Sequence, residues 1–315
     1  MRILFMGTPE FALPSLKILL AHQYNIVAVA TSPDKPQGRG QRLAPSPVKE
    51  LALAHNLRVL QPADLKAPEF ASTITQLQPD LIVVVAFRIL PREVFTIPRL
   101  GSFNLHASLL PKYRGAAPIQ WALINGEEET GVTTFLLQEK VDTGSILLQA
   151  RVRVGPDETA GELHDRLADL GAQVVLQTVR LIELGSAQLQ QQDDSLVSLA
   201  PKIFKENCEI DWRKSAREIH NFVRGLSPAP CAWTTHRGRT IRIYRTKLVD
   251  PATTTSSEGA SGTVVRLEKD LLLVQTGRGL ISIVELQQEG RRRMGIAEFL
   301  RGYEISAGER LRSSA

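Results

Sequence analysis

The chain has 315 residues, 43% of them hydrophobic and 23% charged, a balance that is typical of a globular protein of about two domains and excludes collagen-like and largely disordered chains. Only two cysteines are present, and no apolar run approaches the roughly 20 residues of a membrane helix, so we expect a cytoplasmic protein without a disulfide scaffold. The net charge of +5 lies entirely in residues 206–315, which carry 18 Lys and Arg against 13 Asp and Glu, and this excess favours a module that faces a polyanion.

The first half of the chain alternates between predicted strands and helices. Residues 2–6 form a short apolar run, and residues 10–21 have the apolar spacing of a helix. Apolar, β-branched runs follow at 25–31 and 80–86, and runs without alternation are typical of strands buried on both faces of a parallel sheet. The pattern predicts a doubly wound α/β domain that binds its ligand beyond the carboxyl ends of the strands.

A long connection interrupts this alternation at residues 32–47. The segment is rich in proline, glycine and cations, and it is much longer than a routine connection of about 2–6 residues. Long ordered loops of this kind usually have a function, and the alternative is a solvated excursion at the surface.

The second half of the chain changes character after one long helix. That helix is predicted over 159–184, and the polar, glutamine-rich residues that follow it, 185–204, are interpreted as a linker. Short strands are then predicted at 232–236, 240–248, 262–267, 271–276 and 280–286. Several short strands within about 100 residues predict a small β-barrel or sandwich.

Residues 101–118 carry the residue types of proton-transfer chemistry. A strand over 103–107 would place Asn104 and His106 on one face, where an amide and an imidazole can stabilise an oxyanion and move a proton. Asp142 lies in a later turn, and a carboxylate near a histidine fixes its tautomer. The sequence leaves open whether Asp142 reaches His106, and both short patterns also occur for structural reasons.

Other catalytic chemistries find little support. Ser108 lacks the Gly-x-Ser-x-Gly elbow of a serine nucleophile, and Gly7 is not followed by the further glycines of a dinucleotide-binding loop. The six histidines have no paired spacing for metal ligation. We therefore expect no bound metal.

Several segments, in this order, resemble the methionyl-tRNA formyltransferase family. They are residues 7–11, 33–49, 104–111, 114–119, 142–144, 210–212, 291–294 and 299–302. Asn-x-His-x-Ser-Leu-Leu-Pro with a later Asp-Thr-Gly marks the wider group of folate-dependent formyltransferases. The basic insertion and the C-terminal β-rich region favour the branch that acts on tRNA.

The resemblance implies a Rossmann-like formyltransferase domain over residues 1–188, a linker over 189–206 and a small OB-like β-barrel over 207–315 that binds tRNA. It also implies transfer of a formyl group from 10-formyltetrahydrofolate to the amino group of methionine on initiator tRNA, by a monomer. Asn104 would bind the oxyanion, His106 would stabilise it and move the proton, and Asp142 would orient His106.

The same resemblance assigns the binding residues. Those expected to bind the folate donor are Ser108, Leu109, Leu110 and Pro111. Those expected to contact the tRNA acceptor stem are Lys35, Arg39 and Arg42, and cations of the C-terminal third are further candidates.

One segment departs from the family pattern. The family usually reads Ala-Tyr-Gly-x-Ile-Leu-Pro, whereas residues 86–91 read Ala-Phe-Arg-Ile-Leu-Pro, which is one residue shorter and lacks the glycine. We expect an active enzyme with an altered wall of the folate pocket. Two alternatives are a formyltransferase or hydrolase with another acceptor, and an RNA-binding protein whose catalytic site has been lost.

Overall fold

The computed structural model describes residues 1–37, 42–249 and 260–312, which divide into two units. Unit 1 comprises Met1–Gly115, Thr130–Val152 and His164–Ala200. Unit 2 comprises Ala116–Glu129, Arg153–Leu163 and Pro201–Ala315, so it takes two short segments from the first half of the chain. The sequence boundaries at 188 and 206 stay a prediction.

The strands and helices are numbered along the chain. The strands are β1 (Arg2–Gly7), β2 (Asn25–Ala30), β3 (Lys35–Gln37), β4 (Arg42–Ala44), β5 (Val59–Leu60), β6 (Leu81–Val85), β7 (Ser102–His106), β8 (Arg114–Gly115), β9 (Glu129–Leu136), β10 (Ile146–Arg153), β11 (Leu199–Ala200), β12 (Ala232–His236), β13 (Arg239–Leu248), β14 (Val264–Glu268), β15 (Leu271–Gln275), β16 (Leu280–Gln288) and β17 (Met294–Gly295). The helices are α1 (Leu13–Ala21), α2 (Pro47–Ala54), α3 (Pro68–Leu77), α4 (Arg92–Phe95), α5 (Pro118–Ile124), α6 (Ala160–Glu183), α7 (Ala216–Leu226) and α8 (Ile296–Gly302).

Unit 1 is built on a seven-stranded sheet in the order β10-β9-β7-β6-β1-β2-β5. The five strands from β7 to β5 are parallel, and β9 adds to β7 in the antiparallel sense. Every residue of β6 is buried, as expected from a run that is apolar throughout. The doubly wound α/β prediction is confirmed, and the carboxyl ends of the parallel strands form the edge where a ligand is expected.

The basic insertion is partly regular. β3 and β4 pair as a short antiparallel hairpin in which Gln37 lies opposite Arg42, and residues 38–41 lie outside the described residues. At the root of this hairpin, Asp34 accepts hydrogen bonds from Lys49 Nζ at 2.6 Å and from Gln61 Nε2 at 2.7 Å. The bond from Lys49 is the main reason that the pKa of Asp34 lies below its usual value. Part of the long connection predicted at residues 32–47 is therefore a regular hairpin.

The predicted linker over 185–204 is also more ordered than expected. Gln190 and Ile146 exchange two backbone hydrogen bonds, and β11 pairs in parallel with β8. The segment was interpreted as a linker because it has no apolar periodicity, whereas it is held mainly by backbone and amide hydrogen bonds, which leave no such signal in the sequence.

Unit 2 contains an antiparallel sheet in the order β12-β13-β16-β15-β14, with β17 paired to β16. Residues 309–312 close this sheet into a small barrel. Arg312 exchanges two backbone hydrogen bonds with Thr235 of β12, and Glu309 accepts one from Val264 of β14. The C-terminal β-barrel prediction is thus confirmed. Among the described residues, none of the helices has the length and apolar content needed to cross a membrane.

Helix α7 of unit 2 carries a buried histidine, His220. His220 is 3% exposed; its Nε2 donates to the Pro156 carbonyl oxygen at 3.1 Å, and its Nδ1 lies 3.0 Å from Thr246 Oγ1. Burial is the largest cause of a lowered pKa for His220, with Arg224 acting in the same direction and Asp157 in the opposite one. The folded state therefore favours the neutral ring.

Acidification is expected to weaken the fold through His220. An unfolded histidine has a pKa of about 6.5, so below that pH the unfolded chain binds a proton that the folded protein resists, and stability falls as the pH falls. His220→Gln should show a smaller decrease in melting temperature between about pH 7.5 and 5.5. The exposed control His22→Gln should behave like the wild type, and an unchanged slope in His220→Gln would contradict this prediction.

Candidate active site

Strand β7 places Asn104 and His106 on one face of the sheet of unit 1. Asn104 is half-buried, and His106, at the carboxyl end of the strand, is 6% exposed. Within the described residues, the Asn104 side chain makes no hydrogen bond, so its amide is available to a ligand. The alternation predicted from the sequence is confirmed at these two positions.

The His106 ring is held in one orientation by its Nε2 atom. This atom lies 2.9 Å from the backbone oxygen of Tyr113, and because a carbonyl oxygen only accepts, Nε2 must carry a proton. In the neutral ring, Nδ1 is then the unprotonated nitrogen. Nδ1 is the atom that can take up a proton during a reaction.

The structure brings Asp142 to this free nitrogen. Asp142 Oδ2 lies 3.9 Å from His106 Nδ1 and accepts a hydrogen bond from the backbone N–H of Gly115 at 2.9 Å. A separation of 3.9 Å is too long for a hydrogen bond, yet it is close enough for the carboxylate to stabilise a protonated imidazole. This contact answers the question that the sequence left open.

The turn that carries Asp142 is tightly packed. Asp142 itself has a left-handed backbone with φ of +57°, a conformation that aspartate tolerates better than most residues. A Cβ on Gly144 would lie 1.6 Å from the Leu136 carbonyl oxygen, so only glycine fits there. The glycine of Asp-Thr-Gly is therefore required by the close approach of the turn to β9.

Residues 107–113 form a second fixed turn beside β7. The Ser108 hydroxyl donates to the Lys112 carbonyl oxygen at 2.7 Å, and Thr133 Oγ1 donates to the Ser108 carbonyl oxygen and accepts from the Leu110 N–H. Ser108 and Leu110 are buried, whereas Leu109 and Pro111 are half-buried. Ser108 and Leu110 thus belong to the interior of the turn, whereas Leu109 and Pro111 retain some exposed apolar surface.

The shortened turn after β6 has its own support. Ala86 adopts a left-handed backbone with φ of +49°. Arg88 donates from Nη2 to the Pro62 carbonyl oxygen at 2.6 Å and from Nη1 to the Ala63 carbonyl oxygen at 3.0 Å. Ile89 is 74% exposed. An arginine thus fastens this turn to the loop after β5 where the family pattern has a glycine.

The expected tRNA contacts are only partly described. Lys35 is exposed on β3, opposite Ala44 of β4. The backbone of Arg42 is described as part of β4, and Arg39 lies outside the described residues.

The matches to known families and relatives cover nearly the whole chain. The family model described as formyl transferase matches residues 1–179, and the model for the formyl transferase C-terminal domain matches residues 202–304. A methionyl-tRNA formyltransferase of Acetivibrio thermocellus is 47% identical and covers 98% of this chain and 99% of its own. The chain belongs to the methionyl-tRNA formyltransferase family. Another relative of that name, from Chlorobium luteolum, is 50% identical over 98% of this chain and 99% of its own.

Solved structures show the same fold at low identity. The sugar 3N-formyl transferase WlaRD, crystallised with dTDP and 5-N-formyl-THF, has a TM-score of 0.67 at 19% identity and covers 93% of this chain and 99% of its own. An N-formyltransferase of Helicobacter canadensis has a TM-score of 0.67 at 21% identity, with 91% and 98% covered. The likeness supports the formyltransferase fold of the family.

The site of this family member contains residues that the sequence motifs did not single out. The Tyr113 carbonyl oxygen sets the His106 tautomer, the Gly115 N–H binds Asp142, and Thr133 holds the turn at Ser108. Backbone groups leave no signature in a sequence, although Gly115 belongs to an Arg-Gly-Ala-Ala-Pro segment that the resemblance quotes. Within residues 1–37, 42–249 and 260–312, no cluster of three or more metal-ligating side chains is found.

Proposed function

We propose that the protein transfers the formyl group of 10-formyltetrahydrofolate to the amino group of methionine on initiator tRNA, in support of translation initiation. The observation that carries this proposal is the convergence of Asn104, His106 and Asp142 at the carboxyl end of β7. The chain in which they converge is 46% to 50% identical to several methionyl-tRNA formyltransferases over nearly its full length.

The available groups fit an acyl transfer to an amine. The amine nitrogen attacks the formyl carbon, and the carbonyl oxygen becomes an oxyanion that the Asn104 amide can stabilise by hydrogen bonding. His106 Nδ1 accepts the proton that the attacking nitrogen loses, and Asp142 stabilises the resulting imidazolium. When the bond from the formyl carbon to the donor nitrogen breaks, this proton passes to the departing tetrahydrofolate.

Residues Ser108–Pro111 are proposed to bind the folate donor. The turn is rigid because Thr133 and Gln149 bond to its backbone, and it directly follows His106. The shortened turn at residues 86–91 is proposed to line the same pocket. We expect it to alter the KM for the donor, since it contributes none of the three groups proposed to act on the reacting atoms.

Transfer RNA is proposed to contact Lys35 of β3, Arg42 of β4 and Arg39, which lies between them in the sequence, with further contacts from the basic unit 2. Each cation that neutralises a phosphate releases bound counterions, which makes affinity depend on salt. A plot of the logarithm of the tRNA binding constant against that of salt concentration should be steep. Replacing these three residues by alanine should reduce its slope by about 2 to 3.

A matched control for this measurement replaces three cations outside the hairpin, Lys17, Arg58 and Lys66, which are exposed. This triple variant should keep the wild-type slope. A salt-independent affinity, or an equal slope for the hairpin variant and the wild type, would contradict the proposed contacts.

The acceptor is tested by competition. Protein and labelled 10-formyltetrahydrofolate are mixed with equal amounts of initiator methionyl-tRNA, elongator methionyl-tRNA and a nucleotide-linked amino sugar. We expect label on the initiator tRNA. Label on the sugar would favour the activity named for the structural neighbours, and release of free formate would favour a hydrolase. We propose that the reaction takes place in the cytoplasm and that the active species is a monomer. Sedimentation in solution tests the oligomeric state.

A further inference from the structure

The glutamine-rich segment after α6, residues 185–204, makes hydrogen bonds both to the residues that hold His106 and to the strand that follows the Asp142 turn. The Ser198 carbonyl oxygen accepts the Arg114 N–H at 2.9 Å, and Ser198 Oγ accepts the Tyr113 N–H at 2.9 Å. Tyr113 is the residue whose carbonyl oxygen fixes the His106 ring. At its other end, the segment pairs with Ile146, which follows the turn that carries Asp142.

One side chain of this segment, Gln192, bonds directly to the Asp142 turn. Its Nε2 donates to the backbone oxygen of Asp142 at 2.9 Å and to that of Gly144 at 2.8 Å. Both amide hydrogens are therefore used on the carbonyl oxygens of the first and last residues of Asp-Thr-Gly. These bonds add to the close packing of Gly144 on Leu136 and to the bond that the Thr143 hydroxyl donates to the Lys140 carbonyl oxygen at 2.9 Å.

The opposite end of the Gln192 amide is fixed as well. Gln192 Oε1 accepts from Arg114 Nε at 3.1 Å and from Arg114 Nη2 at 2.8 Å, and the same Nη2 donates to Asp194 Oδ1 at 2.8 Å. The guanidinium only donates and the two carbonyls only accept, so the orientation of the amide is unambiguous. Every hydrogen-bonding atom of this side chain is committed to the site's surroundings.

We propose that Gln192 is a positioning residue that holds the Asp142 carboxylate at His106 for formyl transfer. The inference rests on the proposed catalytic role of Asp142. The hydrogen bonds of Gln192 go to Arg114 and to the backbone of the Asp142 turn, not to the reacting atoms. Gln192 fixes the backbone on both sides of Thr143 and, together with the Gly115 N–H, sets the direction of the carboxylate. Asp142 Oδ2 already lies 3.9 Å from His106 Nδ1, so a small displacement weakens its effect on the imidazolium.

The test compares kcat and KM for formylation in Gln192 variants. Gln192→Ala removes all four bonds, and Gln192→Glu keeps an acceptor for Arg114 but loses both N–H donors to the turn. Both should lower kcat by about 10- to 100-fold, because misplacing a catalytic group by about 1 Å has an effect of this size. The KM values for both substrates should change by less than about twofold. The neighbouring control Gln191→Ala, which loses a bond to Ser145 Oγ, should keep the wild-type kcat.

A double-variant cycle separates positioning from a purely structural role. If Gln192 acts through the carboxylate, Gln192→Ala should lower kcat by no more than about twofold when it is added to Asp142→Asn. Equal losses in both backgrounds, or a lower melting temperature with wild-type kcat, would overturn the proposal. If Asp142→Asn itself kept the wild-type kcat, the proposed role of Asp142 would fall together with that of Gln192. If Asp142→Asn lost activity while both Gln192 variants kept it, only the inference about Gln192 would fall.

Discussion

Replacement of His106 by alanine is expected to lower kcat for formylation by about 10³-fold, which is within the range observed for positioned general acids and bases. The imidazole is held by the Tyr113 carbonyl oxygen on one side, and its free nitrogen lies 3.9 Å from the Asp142 carboxylate on the other. No other side chain described at this point of the site combines a free basic nitrogen with a carboxylate neighbour. Without it, the proton of the attacking amine has no fixed acceptor.

The measurement for His106→Ala is the steady-state rate at saturating donor and charged tRNA, together with tRNA affinity and melting temperature. Affinity should be unchanged, since the ring is buried and is not among the side chains proposed to contact phosphates. Loss of the buried hydrogen bond to Tyr113 lowers stability by about 1–3 kcal/mol, so rates are compared well below the melting temperature. The exposed control His22→Ala should be fully active, and a kcat for His106→Ala within a few-fold of the wild type would contradict its role.

Replacement of Asn104 by alanine is expected to lower kcat by about 10²- to 10³-fold, the usual effect of removing one donor to an oxyanion. The Asn104 amide makes no hydrogen bond to the described residues, so its removal should change the free energy of unfolding by less than about 1 kcal/mol. The prediction is therefore a large loss of activity with little loss of stability. That combination is typical of a residue whose hydrogen bonds are made to the substrate.

A second variant at this position tests the charge requirement. Asn104→Asp has nearly the same size, but its carboxylate only accepts hydrogen bonds and would repel the developing oxyanion. We expect it to be at least as inactive as Asn104→Ala. An active Asn104→Asp enzyme would show that this position does not donate to an oxyanion, whatever the behaviour of the alanine variant.

The sequence predicts the fold of this protein well where burial is periodic. The central strands β1 and β6 are almost entirely apolar, so their positions are visible in the sequence. In unit 2, strand Ala232–His236 alternates between buried and partly exposed residues, and this pattern is also visible in the sequence.

The sequence predicts less where backbone groups and isolated side chains hold the structure. β11, the pairing of Gln190 with Ile146 and the bonds of Gln192 lie in a polar segment without apolar periodicity, which looks like a linker. The contact between His106 and Asp142 joins residues 36 positions apart through a turn at Asp142 and the backbone of Gly115. Such a contact depends on the assembled sheet, and no spacing rule in one sequence contains it.

The most direct test of the whole account is the initial rate of N-formylmethionine formation on charged initiator tRNA at saturating 10-formyltetrahydrofolate. The wild-type protein is compared with His106→Ala at the same tRNA occupancy. We expect many turnovers for the wild type, with one tetrahydrofolate released for each methionine formylated, and a loss of about 10³-fold for the variant. A wild-type protein that binds the tRNA but forms no N-formylmethionine would contradict the proposed function, and equal rates for the two proteins would contradict the proposed site.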